Sequence, residues 1–403
     1  MRQREASLGG AGRGTVARIG EERLWLVRWA AIGFAINKIL VYIAAALGMG
    51  TRLAAQTGYG WLHYLLVGNF IQWDSWWFTG IAQNGYSAKA TAFYPLYPLL
   101  IRGVSDITRL SVFDSAVLIS TICFFLGLCF FLKLMLLDLE RPRAIKAMLL
   151  VVLFPTAFYF SAAYTEGLFF LLAVLLLYGL RRQHWARAGV WGGLAAVARN
   201  TGIAFGLPFL IEYFQDWWAK PRPRPRPWTA AWVILIGLGT ASYFAFCWIR
   251  FGSPLSFISA EGQWGRGLSF PWTTLYEGFK HNLVFARGLR FGIHQGWSPI
   301  YYATELLFPT GAIIVLLASI RRMRWSYWVI LLYSIVVPLM VPANLKVIDY
   351  FPGFSRYMLV VVPLFVGLER LLKNRYAFWV YLALSTLLML VFTYGFSQHL
   401  MVA

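Results

Sequence analysis

Charge is scarce in this sequence. Only 13% of the 403 residues are Asp, Glu, Lys or Arg, and 59% are hydrophobic, whereas soluble domains carry roughly 25% charged residues. Apolar runs of ~18 residues or more recur from near residue 25 to the C-terminus, and each is long enough to cross ~30 Å of hydrocarbon. The sequence therefore excludes an ordinary soluble protein and predicts an all-α polytopic membrane protein.

Acidic residues are rarer than basic ones: 16 Asp and Glu stand against 36 Lys and Arg, which gives a net charge of +20. No nucleic-acid-binding motif or soluble domain accompanies this excess, so nucleic acid is not an expected partner. In a membrane protein, basic loops orient the helices and contact anionic headgroups. Membrane lipids are therefore the expected partners of the basic residues.

Cofactor and metal motifs are also missing. The three cysteines, Cys123, Cys129 and Cys247, lie in apolar runs without the spacing of a metal site. The chain has no P-loop, no dinucleotide-binding glycine pattern and no zinc-ligand spacing. We therefore expect neither ATP nor NAD as a cofactor. The N-terminus lacks the apolar run of a cleavable signal peptide, so residues 1–24 are predicted to be a disordered cytosolic tail.

The basic segments predict a topology. A first helix at about 25–47 leaves the cytosol and leads into an outer loop, residues 48–111. The next span, at about 112–137, ends at the basic segment LERPRAIK on the inner side. This order requires that FYPLYPLLIRGV, with Pro95 and Pro98, does not cross the membrane. We therefore expect interfacial helices in the first outer loop, where Trp and Tyr are favoured.

The later spans alternate across the membrane and bring the total to about 11 transmembrane helices. A Pro/Arg-rich stretch at 217–227 is predicted to be an extended cytosolic linker, and a long outer loop occupies 250–298. No soluble domain and no convincing internal repeat interrupts residues 25–403, which we expect to form a single transmembrane domain.

One acid of the first outer loop lies among aromatic residues, and no other acid follows it until Asp106. Asp74 lies in QWDSWWFTGIA, beside Trp73, Trp76 and Trp77. A carboxylate among aromatic rings is partly desolvated, which makes it a candidate general base, and the Trp rings are candidates for contact with a sugar or a lipid headgroup. The alternative is an Asp that caps an interfacial helix beginning at Ser75. The residues alone leave both interpretations open.

Two further charges lie where spans are predicted to meet the outer face. Glu166, in FSAAYTEGLFF, either binds substrate or is stabilised by the dipole of the helix that begins there. Arg199, followed by Asn200, has apolar sequence on both sides and needs an anionic partner. That partner is either a substrate phosphate, which suits an Arg fork, or a structural carboxylate such as Glu166 or Asp74.

Arg356 and Tyr357 repeat this pattern at the outer start of a later helix. They could bind a phosphate at the helix N-terminus, or Arg356 could simply extend its charge toward water. His294, in the long outer loop, is a candidate substrate contact, although a lone His is more often a satisfied polar group.

These residues lie in motifs that resemble a known family. WDSWWFTGIAQNGY, AFYPLYPLLIR, FPTAFYFSAAYTEGLFFLL, GLAAVARNTG and FSRYMLVVVPLF occur in this order. Together they resemble the PIG-V family, the GPI mannosyltransferase 2 enzymes and their prokaryotic relatives. The resemblance implies the GT-C fold of membrane glycosyltransferases.

The resemblance also implies a reaction. Such enzymes move a sugar, usually mannose, from a polyprenyl-phosphate donor to a hydroxyl of a lipid-linked or glycolipid acceptor on the non-cytosolic face. The carboxylate of the family's first outer loop falls on Asp74, which would act as the base. Arg199 or Arg356 would stabilise the leaving phosphate without a metal, and Glu166 would orient substrate.

The main alternative is a transporter or flippase of a lipid-linked substrate. It would need charges near mid-bilayer and paired half-repeats, whereas the acids of this chain cluster at the predicted outer rim. The compact Arg- and Ala-rich chain is typical of a prokaryote, so the expected location is the plasma membrane, with the active site on the extracytoplasmic face.

Overall fold

A computed structural model describes residues 2–49, 60–218, 224–263, 266–286, 298–341 and 353–400, and these residues form α-helices without a β-strand. The helices are α1 (Arg2–Gly48), α2 (Trp61–Leu66), α3 (Asp74–Asn84), α4 (Leu96–Thr108), α5 (Val112–Met135), α6 (Arg141–Val152), α7 (Glu166–Arg181), α8 (Trp185–Ala198), α9 (Gly206–Trp218), α10 (Ile234–Phe251), α11 (Ser256–Gln263), α12 (Pro271–Ala286), α13 (Ser298–Ser319), α14 (Trp325–Met340), α15 (Phe354–Leu359), α16 (Val362–Leu371) and α17 (Arg375–Ser397). Short 3-10 helices occur at Gly68–Phe70, Lys89–Ala92, Ala157–Ser161, Asn200–Phe205 and Pro227–Val233.

The long helices confirm the predicted all-α polytopic fold. Within the described ranges, four stretches are long and apolar enough to cross a membrane: Gly20–Gly48, Val112–Met135, Pro227–Phe251 and Arg375–Ser397. Helices also lie at each of the other predicted spans. α1 begins at Arg2, so residues 2–24 are helical in the structure, whereas the sequence predicts a disordered tail there.

The predicted first outer loop contains short helices. α2, α3 and α4 have 6, 11 and 13 residues, and each is too short to cross ~30 Å of hydrocarbon alone. α5 then begins at a capped N-terminus, where the Ser111 hydroxyl accepts a hydrogen bond from the Asp114 backbone N–H. α3 and α4 pack against the N-terminal part of α5 and so lie next to the start of α7.

The centre of the bundle is built from α5, α7 and α8, with α10 packed on α8. Gly167 permits the close approach of α7 to α5, because a Cβ at this position would lie 2.5 Å from the backbone oxygen of Ser120. This contact places the residue before it, Glu166, deep in the bundle at the first turn of α7.

Irregular backbone interrupts the helices at three places. α6 ends at Val152 and is followed by a 3-10 helix at Ala157–Ser161, α8 ends where the 3-10 helix Asn200–Phe205 begins, and α15 and α16 are separated at Val360 and Val361. Irregular backbone at membrane depth is tolerated where it is buried in protein or lines a cavity. Ala157–Ser161 is buried, and the other two places line the cavity described below.

Bidentate Arg–carboxylate pairs hold the opposite ends of the helices. The described pairs are Arg143 with Glu369 at 2.6 and 2.7 Å, Arg181 with Asp138 at 2.5 and 2.6 Å, and Arg324 with Glu212 at 2.7 and 2.5 Å. Each pair joins separate segments of the chain, and its fork geometry fixes their relative orientation. These are the ends that the basic loops assign to the cytosolic side.

Candidate active site

Four charged residues form an alternating chain of ion pairs at the head of a cavity. Arg356 donates from Nη1 to Asp74 Oδ2 at 2.7 Å, and its Nε lies 3.5 Å from Glu166 Oε1. The same Glu166 oxygen accepts a hydrogen bond from Arg199 Nη1 at 3.1 Å. The structure thus brings together all four charged candidates for which the sequence left the function open.

Asp74 is the first residue of α3, and its side chain is 32% exposed. The residue at the N-cap position of α3 is Trp73, and Asp74 lies in the first turn, where its carboxylate accepts a hydrogen bond from Arg356. The preceding Trp73 has φ of 51°, a left-handed conformation that is uncommon for a bulky residue. Such local strain is tolerated where the surrounding contacts determine the backbone.

Tyr164 supplies those contacts. Its hydroxyl donates to the backbone oxygen of Gln72 at 3.1 Å and accepts from the backbone N–H of Asp74 at 3.2 Å. The two bonds flank Trp73 and fix the turn that starts α3. Tyr164 is buried and lies two residues before Glu166, so the segment that carries Glu166 also positions Asp74.

Glu166 is almost completely buried, with 1% of its side chain exposed. It lies in the first turn of α7, as the helix-dipole interpretation requires, and it also forms the two ion contacts described above. Its second oxygen, Oε2, has no hydrogen-bond partner within the part of the chain that the structure describes. A buried carboxylate oxygen normally has a partner, so Oε2 is an acceptor that the described residues leave unsatisfied.

Arg199 ends α8, and Asn200 begins the following 3-10 helix. Gly202 makes this tight reversal possible, because a Cβ there would lie 2.2 Å from the backbone oxygen of Ala195. The Arg199 guanidinium lies 5.5 Å from the ring centroids of Phe169 and Tyr357. The anionic partner of Arg199 in this structure is Glu166, through the 3.1 Å hydrogen bond. This agrees with the interpretation in which Arg199 pairs with a structural carboxylate.

Tyrosine rings surround Arg356. Its guanidinium carbon lies 5.6, 5.2 and 5.5 Å from the ring centroids of Tyr159, Tyr164 and Tyr357, all within cation–π range. Only 13% of the Arg356 side chain is exposed. The side chain turns inward to two carboxylates, and it does not extend toward water.

The aromatic residues of the first outer loop form one wall of the cavity. Trp73, Trp76 and Trp77 all line it, and Trp73 is 45% exposed. The Trp77 ring stacks on Phe93 at 5.6 Å with an interplanar angle of 8°. This wall presents flat apolar surfaces next to the Asp74 carboxylate.

Sequence reasoning missed several residues at this site. Arg266 donates from Nη2 to the Tyr357 hydroxyl at 2.9 Å, and its Nε lies 3.4 Å from Glu261 Oε2. Burial raises the pKa of the Glu261 carboxyl, and the nearby Arg266 opposes that shift. Nothing in the surrounding GQWGRGLSF distinguishes Arg266 from other basic residues of the loop. Arg266 reaches the site because α11, which precedes it in the chain and carries Glu261, packs beside the site.

Lys38 was also missed, although an ammonium within an apolar span is a recognisable signal. It lies in α1, is buried, and donates to Ser161 Oγ at 2.7 Å and to the Phe160 backbone oxygen at 3.3 Å. These bonds hold the end of the 3-10 helix that carries Tyr159. Lys38 therefore supports the ring that packs on Arg356.

The cavity has a volume of about 1060 Å³ and two chemically different parts. Its head is lined by three acids and three arginines, together with Asn200 and Tyr357: Asp74, Glu166, Glu261, Arg199, Arg266 and Arg356. Its lower part is apolar and follows one face of α7 through Phe169, Ala173 and Leu177. The arrangement fits a ligand with a polar head and a hydrocarbon chain.

His294 lies outside the described residues, so its predicted role stays a prediction. Within the described ranges, no cluster of three or more His, Cys, Asp or Glu side chains is placed to hold a metal ion. Metal-independent chemistry stays a prediction.

Comparison with known proteins supports the resemblance that the motifs predict. Residues 55–216 match the model of the mannosyltransferase (PIG-V) family, which confirms the resemblance over that segment. The chain is also 36% identical over 64 residues to GPI mannosyltransferase 2 of Yarrowia lipolytica, a match that covers 16% of this chain and 18% of the relative. It therefore spans about a fifth of that relative's length. Asp74, Glu166 and Arg199 lie inside the segment that the family model matches, and Arg356 lies outside it.

Proposed function

We propose that this protein is an inverting hexosyltransferase of the membrane, which moves mannose from a polyprenyl-phosphate donor to a hydroxyl of a lipid-linked or glycolipid acceptor. The observation that carries this proposal is the chain of ion pairs from Asp74 through Arg356 and Glu166 to Arg199, placed at the head of an otherwise apolar cavity. The matched family supports the sugar and the reaction class.

The donor class follows from the chemistry of the two cavity parts. A lipid-linked sugar phosphate has an anion at the junction between a sugar and a hydrocarbon chain. Arg199, Arg266 and Arg356 lie at the corresponding junction in the cavity, between the aromatic wall and the apolar lower part. An Arg fork suits phosphate oxygens because it presents paired donors in one plane.

Asp74 is assigned the role of general base. Its carboxylate takes the proton of the acceptor hydroxyl, while the acceptor oxygen attacks the anomeric carbon of the sugar. The bond from that carbon to the phosphate oxygen breaks, and its electron pair leaves with the polyprenyl phosphate. A single displacement of this kind inverts the anomeric configuration. General-base assistance of this kind accelerates a reaction by roughly 10²–10⁴-fold.

The ion pair between Asp74 and Arg356 links the proton transfer to the leaving group. While Asp74 is ionised, it holds Arg356 Nη1 at 2.7 Å. Protonation removes the charge that attracts Arg356, at the moment when negative charge develops on the leaving phosphate. Arg356 then stabilises the phosphate, and stabilisation that is stronger in the transition state than in the ground state accelerates the reaction.

Glu166 is assigned to substrate orientation. Its Oε1 is held by Arg199, and its Oε2 is a buried acceptor that no described residue satisfies, so a small movement of the side chain would let a sugar hydroxyl in the cavity donate to it. Trp73 and Trp77 would pack on the sugar or on the headgroup, and Asn200 and Tyr357 would contact the phosphate end. No metal is part of this proposal, since a monophosphate leaving group can be held by arginines.

The proposed location is the plasma membrane of a prokaryote, with the site at the extracytoplasmic face. The basic loops support this orientation, since they assign the Asp74 side of the bundle to the outside. The Arg–carboxylate pairs at the opposite ends support an enzyme rather than a transporter or flippase. Alternating access would require the helix ends that these bidentate pairs join to separate.

The test uses purified protein, radiolabelled polyprenyl-phosphate mannose and a membrane lipid extract as the source of acceptor. Intact protein should transfer label to an extract lipid, and Asp74→Asn should lower the rate by at least about 10²-fold. The matched control is Asp106→Asn, which changes an acid that is 68% exposed and lies in α4.

The outcomes separate the parts of the proposal. If Asp74→Asn and the intact protein transfer label at the same rate, Asp74 is not the general base. Transfer of intact lipid between leaflets of a vesicle, without any change of its glycosidic bond, would favour the flippase. Thermal unfolding of both variants controls for loss of fold.

A further inference from the structure

A second, smaller cavity adjoins the apolar part of the main one. It has a volume of about 220 Å³ and lies between the 3-10 helix Asn200–Phe205, the start of α9 and the middle of α14. Its lining includes Ile203, Leu207 and Val329. Ile330 and Tyr333 line both cavities, so a single layer of side chains separates them.

The small cavity opens at the perimeter of the bundle. Ile203 is 47% exposed and Leu207 is 54% exposed, and both flank a helix predicted to span the membrane. The surroundings of such a surface in a bilayer are hydrocarbon chains. The small cavity thus connects the membrane interior with the partition at Ile330 and Tyr333.

The partition has the features of an element that can open. The Tyr333 hydroxyl donates to the backbone oxygen of Thr201 at 2.6 Å, and this bond ties α14 to the 3-10 helix. Five residues further along α14, Pro338 lies inside the helix and has no N–H to donate to the carbonyl of Ser334. A proline of this kind is a common cause of helix bending.

The depth of the main cavity fits a lipid chain. Glu166 and Leu177 both line it and are separated by eleven residues on one helix, which corresponds to about 16 Å. The total volume of about 1060 Å³ reaches the top of the usual range for ligand pockets, roughly 300–1,000 Å³. A sugar phosphate at the charged head leaves the lower, apolar part for hydrocarbon.

We propose that the gap between Asn200–Phe205, α9 and α14 is a lateral portal, through which the hydrocarbon chain of the lipid-phosphate donor enters from the membrane. The Tyr333–Thr201 hydrogen bond closes this portal, and Leu207 and Ile203 line its mouth. The proposal rests on the proposed function for the identity of the lipid. Three arginines line the cavity head, each beside a carboxylate, and their guanidinium forks are the groups there that suit phosphate oxygens, so the phosphate-bearing donor is the proposed occupant.

The test compares two donors of different chain length. One is a long-chain polyprenyl-phosphate mannose, and the other is citronellyl-phosphate mannose, whose short chain does not need the portal. Leu207→Trp narrows the mouth. In this variant we expect kcat/KM for the long donor to fall by about tenfold or more relative to kcat/KM for the short donor. A tenfold fall corresponds to the loss of contact with one or two methylenes. Ile203→Trp is a second variant with the same expectation.

Leu387→Trp is the matched control, because Leu387 is 56% exposed and lies on α17, away from both cavities. The ratio should stay at its original value in this variant. An unchanged ratio in both Leu207→Trp and Ile203→Trp would overturn the portal. So would an equal fall in the control, since that would report a general effect of surface tryptophans.

A readout independent of turnover uses a donor with a photoreactive diazirine at the far end of its chain. The label should attach to peptides of α14 or of residues 200–218 in intact protein, and less so in Leu207→Trp. Attachment of the donor label to other segments would overturn the proposal. The proposal would also be overturned if an acyl-labelled glycolipid acceptor, and not the donor, labelled α14 or residues 200–218. If the donor labels the portal and no sugar transfer occurs with any acceptor, the proposed function fails while the portal stands.

Discussion

Asp74 and Arg356 lie 282 residues apart in the sequence, and their side chains meet at 2.7 Å. Arg356 also approaches Glu166, so one guanidinium contacts two carboxylates from different helices. The planar fork of Arg presents its donors to both carboxylates in a fixed geometry, whereas the ammonium of Lys is a compact point charge on a flexible stem. This difference makes Arg356 the most direct place to test the site.

We expect Arg356→Lys to lower kcat/KM for sugar transfer by about 10²–10³-fold, because a preorganised donor to the leaving group is lost while the charge remains. Steady-state rates with labelled donor measure the effect. Arg102→Lys is the control, since Arg102 is 58% exposed and lies away from the cavity. Full activity in Arg356→Lys would show that a point charge suffices and that the fork has no role.

Glu166 and Arg199 should behave as a coupled pair. Glu166→Gln alone leaves Arg199, whose side chain is 13% exposed, without its ionised partner at 3.1 Å, and breaking a buried pair costs about 3–5 kcal/mol. Removing both charges with Glu166→Gln and Arg199→Gln should restore part of the stability but none of the activity. Thermal unfolding in nanodiscs and transfer assays measure the two effects. Additive losses of stability would contradict the coupling.

Tyr164→Phe should reduce turnover more than it reduces stability. The variant loses both hydroxyl bonds that fix the turn at Trp73, so Asp74 is held less firmly. We expect kcat to fall by about tenfold, which corresponds to about 1.4 kcal/mol. Tyr243→Phe is the control, since this buried tyrosine also donates to a backbone oxygen, that of Thr91 at 2.6 Å. An equal fall of kcat in both variants would argue against a positioning role for Tyr164.

Gly167→Ala should destabilise the bundle. The added Cβ would lie 2.5 Å from the Ser120 backbone oxygen, and overpacking of this kind costs typically about 1–3 kcal/mol. Gly237→Ala has no atom within 4 Å of its new Cβ, so this control should be neutral, or more stable by up to about 1 kcal/mol because Ala favours helix. The melting temperatures of the two variants measure the difference. A Gly167→Ala protein as stable as Gly237→Ala would mean that α5 and α7 do not pack this closely.

Sugar transfer should not depend on a metal ion. The arginines at the head of the cavity supply the positive charge that nucleotide-sugar enzymes obtain from a divalent cation. Rates should therefore be the same in excess EDTA and in added Mg²⁺ or Mn²⁺. Loss of activity in EDTA that either cation restores would overturn this expectation.

Several features of the site were accessible from the sequence because charge inside apolar sequence is costly and therefore informative. Asp74, Glu166, Arg199 and Arg356 stand out on that ground alone, and all four line one cavity. Arg266 and Glu261 belong to a polar loop, where charge carries no such signal. The helical tail was missed for a related reason: the Arg- and Gly-rich composition of residues 2–24 predicts disorder, and α1 nevertheless extends through them.

The sequence by itself determined that this chain is a helical membrane protein with its unusual charges near one end of the spans, since hydrocarbon admits only long apolar helices and makes each charge conspicuous. Only the tertiary structure decided how those charges pair. From the sequence alone, Glu166 could have been an acid stabilised only by the dipole of α7, and Arg356 could have been a cation that extends toward water. Their pairing depends on the close packing of α7 against α5 and on the break between α15 and α16. Contacts between residues hundreds of positions apart follow from such packing, and local sequence pattern does not encode them.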